Sequence, residues 1–150
     1  ARWFEMLVHE KVTNHVFLDS DWLEDLENIF DLVKEDSASV VVLLTRNTLE
    51  RMWCAGEIAT AHAHKVLIIP IFAAEVSPPE ARFFKQLQAV WTGGELAALE
   101  GVGVSLPRVQ EAYAYMFTLV GVTLPVEGTR AQHSAAVRGI VFECLRERQK

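Results

Sequence analysis

Two stretches of the chain are apolar at nearly every position, and they constrain the fold more than anything else in the sequence. One is Ser39-Val40-Val41-Val42-Leu43-Leu44-Thr45 and the other is Val66-Leu67-Ile68-Ile69-Pro70-Ile71. A strand with one face in water alternates apolar and polar residues; these do not, so both predict strands buried on two faces. Strands of that kind belong to parallel sheets covered by helices on each side. Pro70 cannot donate to a ladder, which predicts that the second strand ends near an edge or a turn.

Helical patterns fall between and around these strands. Leu23, Leu26, Ile29, Phe30 and Val33 recur at three and four, the stripe of an amphipathic helix that Ser20 or Asp21 can cap. Asn47 or Thr48 is the expected cap of a helix running to about His64. A helix over 80–90, another opening at Ser105-Leu106-Pro107, and a closing helix striped by Ala136, Val137, Ile140 and Val141 follow. Trp91-Thr92-Gly93-Gly94 reads as a turn. Short strands are predicted at 15–18 and 121–125, and Trp3, Phe4, Leu7 and Val8 predict a short opening helix. Strand and helix alternate, so the fold class is α/β with a central parallel sheet.

Composition narrows the functions. With 150 residues, 51% of them hydrophobic, the chain is long enough for one domain with a full core. A net charge of −6 without a basic cluster argues against nucleic acid and anionic membrane surfaces as main partners. The longest apolar run is far short of a membrane span. Two cysteines, Cys54 and Cys144, make neither a disulfide framework nor a metal signature, which suits a cytoplasmic, reducing compartment. A chain that opens on Ala1 reads as a piece of a longer protein.

The first buried strand runs into a helix carrying Trp53-Cys54-Ala55-Gly56-Glu57. At about 100° per residue, Cys54, Ile58 and Ala61 form a core stripe. Trp53, Glu57, Thr60 and His64 form the neighbouring stripe, at the boundary between core and solvent. A carboxylate there is partly desolvated and within reach of a ligand, because open α/β folds bind ligands at the carboxyl ends of their strands. The plainer role for Glu57 is a structural cap or ion pair near the sheet edge. His62 and His64, two apart on a helix, face different ways and make a poor metal pair. Cys54 points to the core, where a thiol is usually inert packing. Gly101-Val102-Gly103 lacks the third glycine and the preceding strand of a dinucleotide fingerprint. A magnesium site at Asp19 and Asp21 lacks a further acid, so no metal is expected.

Together, Val16-Phe17-Leu18-Asp19-Ser20-Asp21, Leu23, Leu26, residues 39–45, Trp53-Cys54 with Glu57, and Ile68-Ile69-Pro70-Ile71 resemble the Toll/interleukin-1 receptor (TIR) domain. The short acidic turn followed at once by a helix is most similar to TIR-like domains of microbial eukaryotes. The likeness is good over 16–72 and weaker beyond. It implies a flavodoxin-like three-layer sandwich, one TIR-like domain over 1–150, with the family's first strand missing from this chain. That strand would sit between those at 15–18 and 39–45. It implies a cytoplasmic module in signal transduction, such as innate immunity, working by self-association with other TIR domains.

Some TIR domains hydrolyse NAD, with a catalytic glutamate at the position Glu57 matches. The resemblance therefore also implies an alternative: an NAD glycohydrolase in which NAD is substrate and no cofactor is needed. Nicotinamide leaves as a neutral base from a cationic nucleotide, so one carboxylate suffices to stabilise the oxocarbenium-like ribose. Trp53 or Trp22 would stack on a base. Ser20 and Thr45 would line the cleft between the 19–22 turn and the 45–53 loop.

Overall fold

The computed structural model describes residues 6, 8, 9, 16, 26–73, 76–124 and 128–147. Strand β1 (Ser39–Leu44) pairs in parallel with β2 (Leu67–Ala73), which pairs in parallel with β3 (Val122–Leu124), giving the order β1-β2-β3. The helices are α1 (Leu26–Asp31), α2 (Arg46–Glu50), α3 (Met52–Ala63), α4 (Ala81–Val90), α5 (Gly93–Gly101), α6 (Leu106–Met116) and α7 (Arg130–Glu147). A π-helical turn, Leu32–Asp36, extends α1. This is the α/β class with a parallel sheet that the apolar strands predict, consistent with a flavodoxin-like architecture. The predicted strand at 15–18 lies outside the described residues except for Val16, which packs against Val8, Val137 and Val141.

Register sorts the strand residues into two layers. Val40, Val42, Leu44 and Ile68 face the main core, built with α1 through α6. Val41, Leu43, Leu67, Ile69 and Ile71 face Ile140 of α7. Near-complete burial follows from the sequence for both sets, but the layers differ. Leu44 is fully buried, whereas Val41, Leu43 and Leu67 are only half-buried among the described residues. Several helices cover the first layer, and one long helix covers much of the second.

Pro70 does not end β2, contrary to expectation. It pairs with Val42 on one side, while the ladder to β3 begins one residue later, at Ile71 and Val122. The missing N–H therefore lies below the start of that ladder, and the central strand keeps its proline. Trp91-Thr92-Gly93-Gly94 is also not a plain turn. Thr92 caps α5 through a reciprocal pair with Glu95, its backbone N–H donating to the Glu95 carboxylate at 2.7 Å. The Thr-x-x-Glu spacing carried that signal, and the two glycines obscured it.

Helix α3 is buried almost all round, with Met52, Ala55, Gly56, Ile58, Ala59, Thr60 and Ala61 inside. Its small residues let neighbours come close. Helix α6 packs along it with Val109, Ala112, Tyr113 and Met116 buried. The Phe30 ring lies over Gly56, where an added Cβ would stand 2.5 Å from the ring.

Candidate functional site

The segment between β1 and α3 is two helices, not one. Thr45 caps α2, with its hydroxyl accepting from the Thr48 backbone N–H at 3.2 Å. Thr48 answers by accepting from the Thr45 N–H, and its hydroxyl donates to the Leu43 carbonyl at 2.9 Å. Asn47 and Thr48 therefore sit inside the helix they were expected to cap, because Thr45 is the last extended residue of the strand exit. The chain then turns through an extended Arg51 and re-enters helix at Met52.

Two distant aromatics hold the end of α2. The Tyr113 hydroxyl donates to the Leu49 carbonyl at 3.0 Å, and the Trp91 indole N–H donates to the Glu50 carbonyl at 2.8 Å. The last carbonyls of a helix lack partners within it, so these bonds complete α2 from outside. Neither aromatic stands out in the sequence as part of this region. The available signal was that a buried Tyr or Trp needs a partner for its polar tip. Burial pushes the Tyr113 phenol far above its ordinary value, and negative charge at Cys54 adds to the push.

Trp53 and Glu57 lie one turn apart on α3 and are both half-buried, as the boundary stripe predicts. Thr60 on the same stripe is buried and His64 is exposed. The Trp53 ring stacks on Phe30, with centroids 5.8 Å apart and planes at 29°. One side of the indole is thereby used inside the fold. Glu57 also has an interaction partner. Cys54 is half-buried, not fully in the core. Ser20 and Trp22 lie outside the described residues, so the 19–22 side of the expected cleft is not described; Thr45, Trp53 and Glu57 are on the other side, along one strand–helix connection.

Two cavities among the described residues gather at the opposite end of α3, around Ala59, Ala63 and Arg108, with volumes of about 390 and about 830 Å³. Among the described residues no three His, Cys, Asp or Glu side chains group to hold a metal ion, and no helix is long and apolar enough to cross a membrane. No protein-family model and no curated protein sequence matches the chain.

Proposed function

We propose that this chain is a cytoplasmic TIR-like signalling module that works by self-association. The observation that carries the reading is how the Trp53–Glu57 region is used. The Thr45 hydroxyl is taken up in the cap of α2, the Trp53 indole is stacked on Phe30, and Glu57 has a partner. Side chains engaged in this way stiffen a scaffold. Large apolar side chains on the outside, Phe142 at 63% and Val90 at 68% exposure, supply surface for contacts between copies. Light scattering across a concentration series tests the proposal. Apparent mass should rise above that of the 16.8 kDa monomer. A monomer at every concentration up to millimolar overturns it.

One observation favours the enzymatic alternative: Glu57 is a half-buried carboxylate one helical turn from an aromatic ring, on the helix that follows a buried parallel strand. In that reading Glu57 stabilises the ribose cation as nicotinamide leaves NAD. Nicotinamide release by the wild type that vanishes in Glu57→Ala would establish it. Absence of turnover in the wild type leaves the signalling module as the reading.

A further inference from the structure

The two cavities at the far end of α3 adjoin, with Ala59, Ala63 and Arg108 in the lining of both, and are taken together as a two-lobed cleft. It lies near the amino end of β2, at Leu67, away from the Trp53–Glu57 end of α3. We propose that this cleft is a nucleoside phosphate site, with the phosphoryl groups held at Arg108 and the ring placed against Tyr115.

Two helix C-termini meet there, which by itself would favour cations. The caps weaken that preference, and the cationic side chains in the cleft oppose it. At the end of α3, the Thr60, Ala61 and His62 carbonyls accept from the N–H groups of His64, Val66 and Lys65. At the end of α5, Leu99 accepts from Val102 and Val104, and Glu100 accepts from Gly103. Both ends are closed by the same left-handed cap, which takes up three carbonyls of α3 and two of α5. The Gly103 carbonyl is used too: Arg108 donates to it at 2.7 Å through one terminal nitrogen. This bond orients the guanidinium at the junction of the lobes and leaves further N–H donors in a planar fork, the geometry that grips phosphate oxygens.

The smaller lobe adds His64 to Arg108, and also Lys34, whose ammonium is paired with both Asp31 and Glu35. The larger lobe adds Lys65, Glu111 and an aromatic pair, His62 and Tyr115, with centroids 4.8 Å apart. Tyr115 is 44% exposed and offers a flat face. Glu111 supplies an acceptor for the amino edge of a base. Arg108, Glu111 and Tyr115 follow one another at three and four along α6, so they share a face, with about 10 Å from first to last at 1.5 Å per residue. That is the reach of a nucleoside diphosphate.

Backbone strain points to the same place. The cap of α5 has glycine at its left-handed position, Gly103 at φ 80°, whereas the cap of α3 has Lys65 at φ 58°. A lysine in that conformation is costlier than glycine. It sets an ammonium in the wall of the cleft, and strain of this kind concentrates at ligand sites.

Calorimetric titration of the full chain with ADP tests the proposal, with adenosine and ribose 5-phosphate as probes lacking one half each. Saturable ADP binding should weaken about tenfold or more in Arg108→Ala and clearly in Tyr115→Ala. Both residues are exposed, and circular dichroism checks that each variant is folded. Adenosine and ribose 5-phosphate should each bind more weakly than ADP. Glu57→Ala should leave ADP binding unchanged, which separates this site from the one near Glu57; Trp53 is no control, because its ring stacks on Phe30, which lines the smaller lobe. No ADP binding by the wild type, equal binding by Arg108→Ala, or loss confined to Glu57→Ala overturns the assignment. Ribose 5-phosphate binding as tightly as ADP overturns the placement of the ring.

Discussion

Gly56→Ala tests how the Trp53–Glu57 helix is held. In the interior of a helix, alanine is favoured over glycine by about 1 kcal/mol. On an open helix face the substitution would therefore stabilise the protein. Here the new methyl would stand 2.5 and 2.6 Å from two carbons of the Phe30 ring and 2.9 Å from Leu99 Cδ2. Leu99 meets it with the end of a flexible side chain and can give way. Phe30 is 4% exposed and its ring is already stacked on Trp53. The ring must move by about 1 Å to restore ordinary contact, at the about 1–3 kcal/mol typical of overpacking. Against the helix gain of about 1 kcal/mol, the net effect is between neutral and a loss of about 2 kcal/mol. Urea unfolding followed by tryptophan fluorescence measures it, and the native emission should shift as Trp53 is displaced. The control is the double variant with Phe30→Leu. With the ring gone the clash is relieved, so Gly56→Ala added to Phe30→Leu should be neutral or stabilising, a coupling that a double-mutant cycle isolates. A stability gain of about 1 kcal/mol from Gly56→Ala in the wild type, at the full value of its helix propensity, would refute the close approach of Phe30.

Three further outcomes follow from the same packing. Tyr113→Phe strands the buried Leu49 carbonyl and should cost about 1–3 kcal/mol in denaturant titrations at neutral pH. Burial raises the Tyr113 pKa in the folded state, so stability is full below the ordinary value of 10.0 and declines as pH rises past it, because the unfolded tyrosine ionises first. That alkaline decline should flatten in Tyr113→Phe, and an unchanged profile would remove burial as its cause. Thr45→Ala breaks the reciprocal cap of α2 and should lower stability by about 1 kcal/mol, with Thr45→Ser retaining most of it; thermal unfolding separates the two. Leu44→Ala should cost about 2–5 kcal/mol and Leu43→Ala markedly less, since only Leu44 is fully buried; equal losses would contradict the two-layer packing.

The sequence by itself determined the elements that depend on local pattern. Val40 to Leu44 and Val66 to Ile71 are apolar at consecutive positions, and such runs have few places to go other than a covered parallel sheet. The stripe of Trp53, Glu57, Thr60 and His64 followed from helical angle; Trp53 and Glu57 are half-buried as expected, whereas Thr60 is buried and His64 exposed, because burial also changes along α3. Tertiary structure decided what depends on partners distant in the chain. Thr45 became a cap because the strand exits there, so its hydroxyl is the one in place when α2 begins. Pro70 stays inside β2 because β3 is short and starts one residue later, a fact about another segment. Tyr113 and Trp91 reach back 64 and 41 residues to the end of α2. The cleft around Arg108 exists only where the ends of α3 and α5 meet, with several of their carbonyls taken up by their own caps. Periodicity reports which way a side chain faces on its own element, whereas hydrogen-bond partners across 40 or more residues are set by how the layers stack.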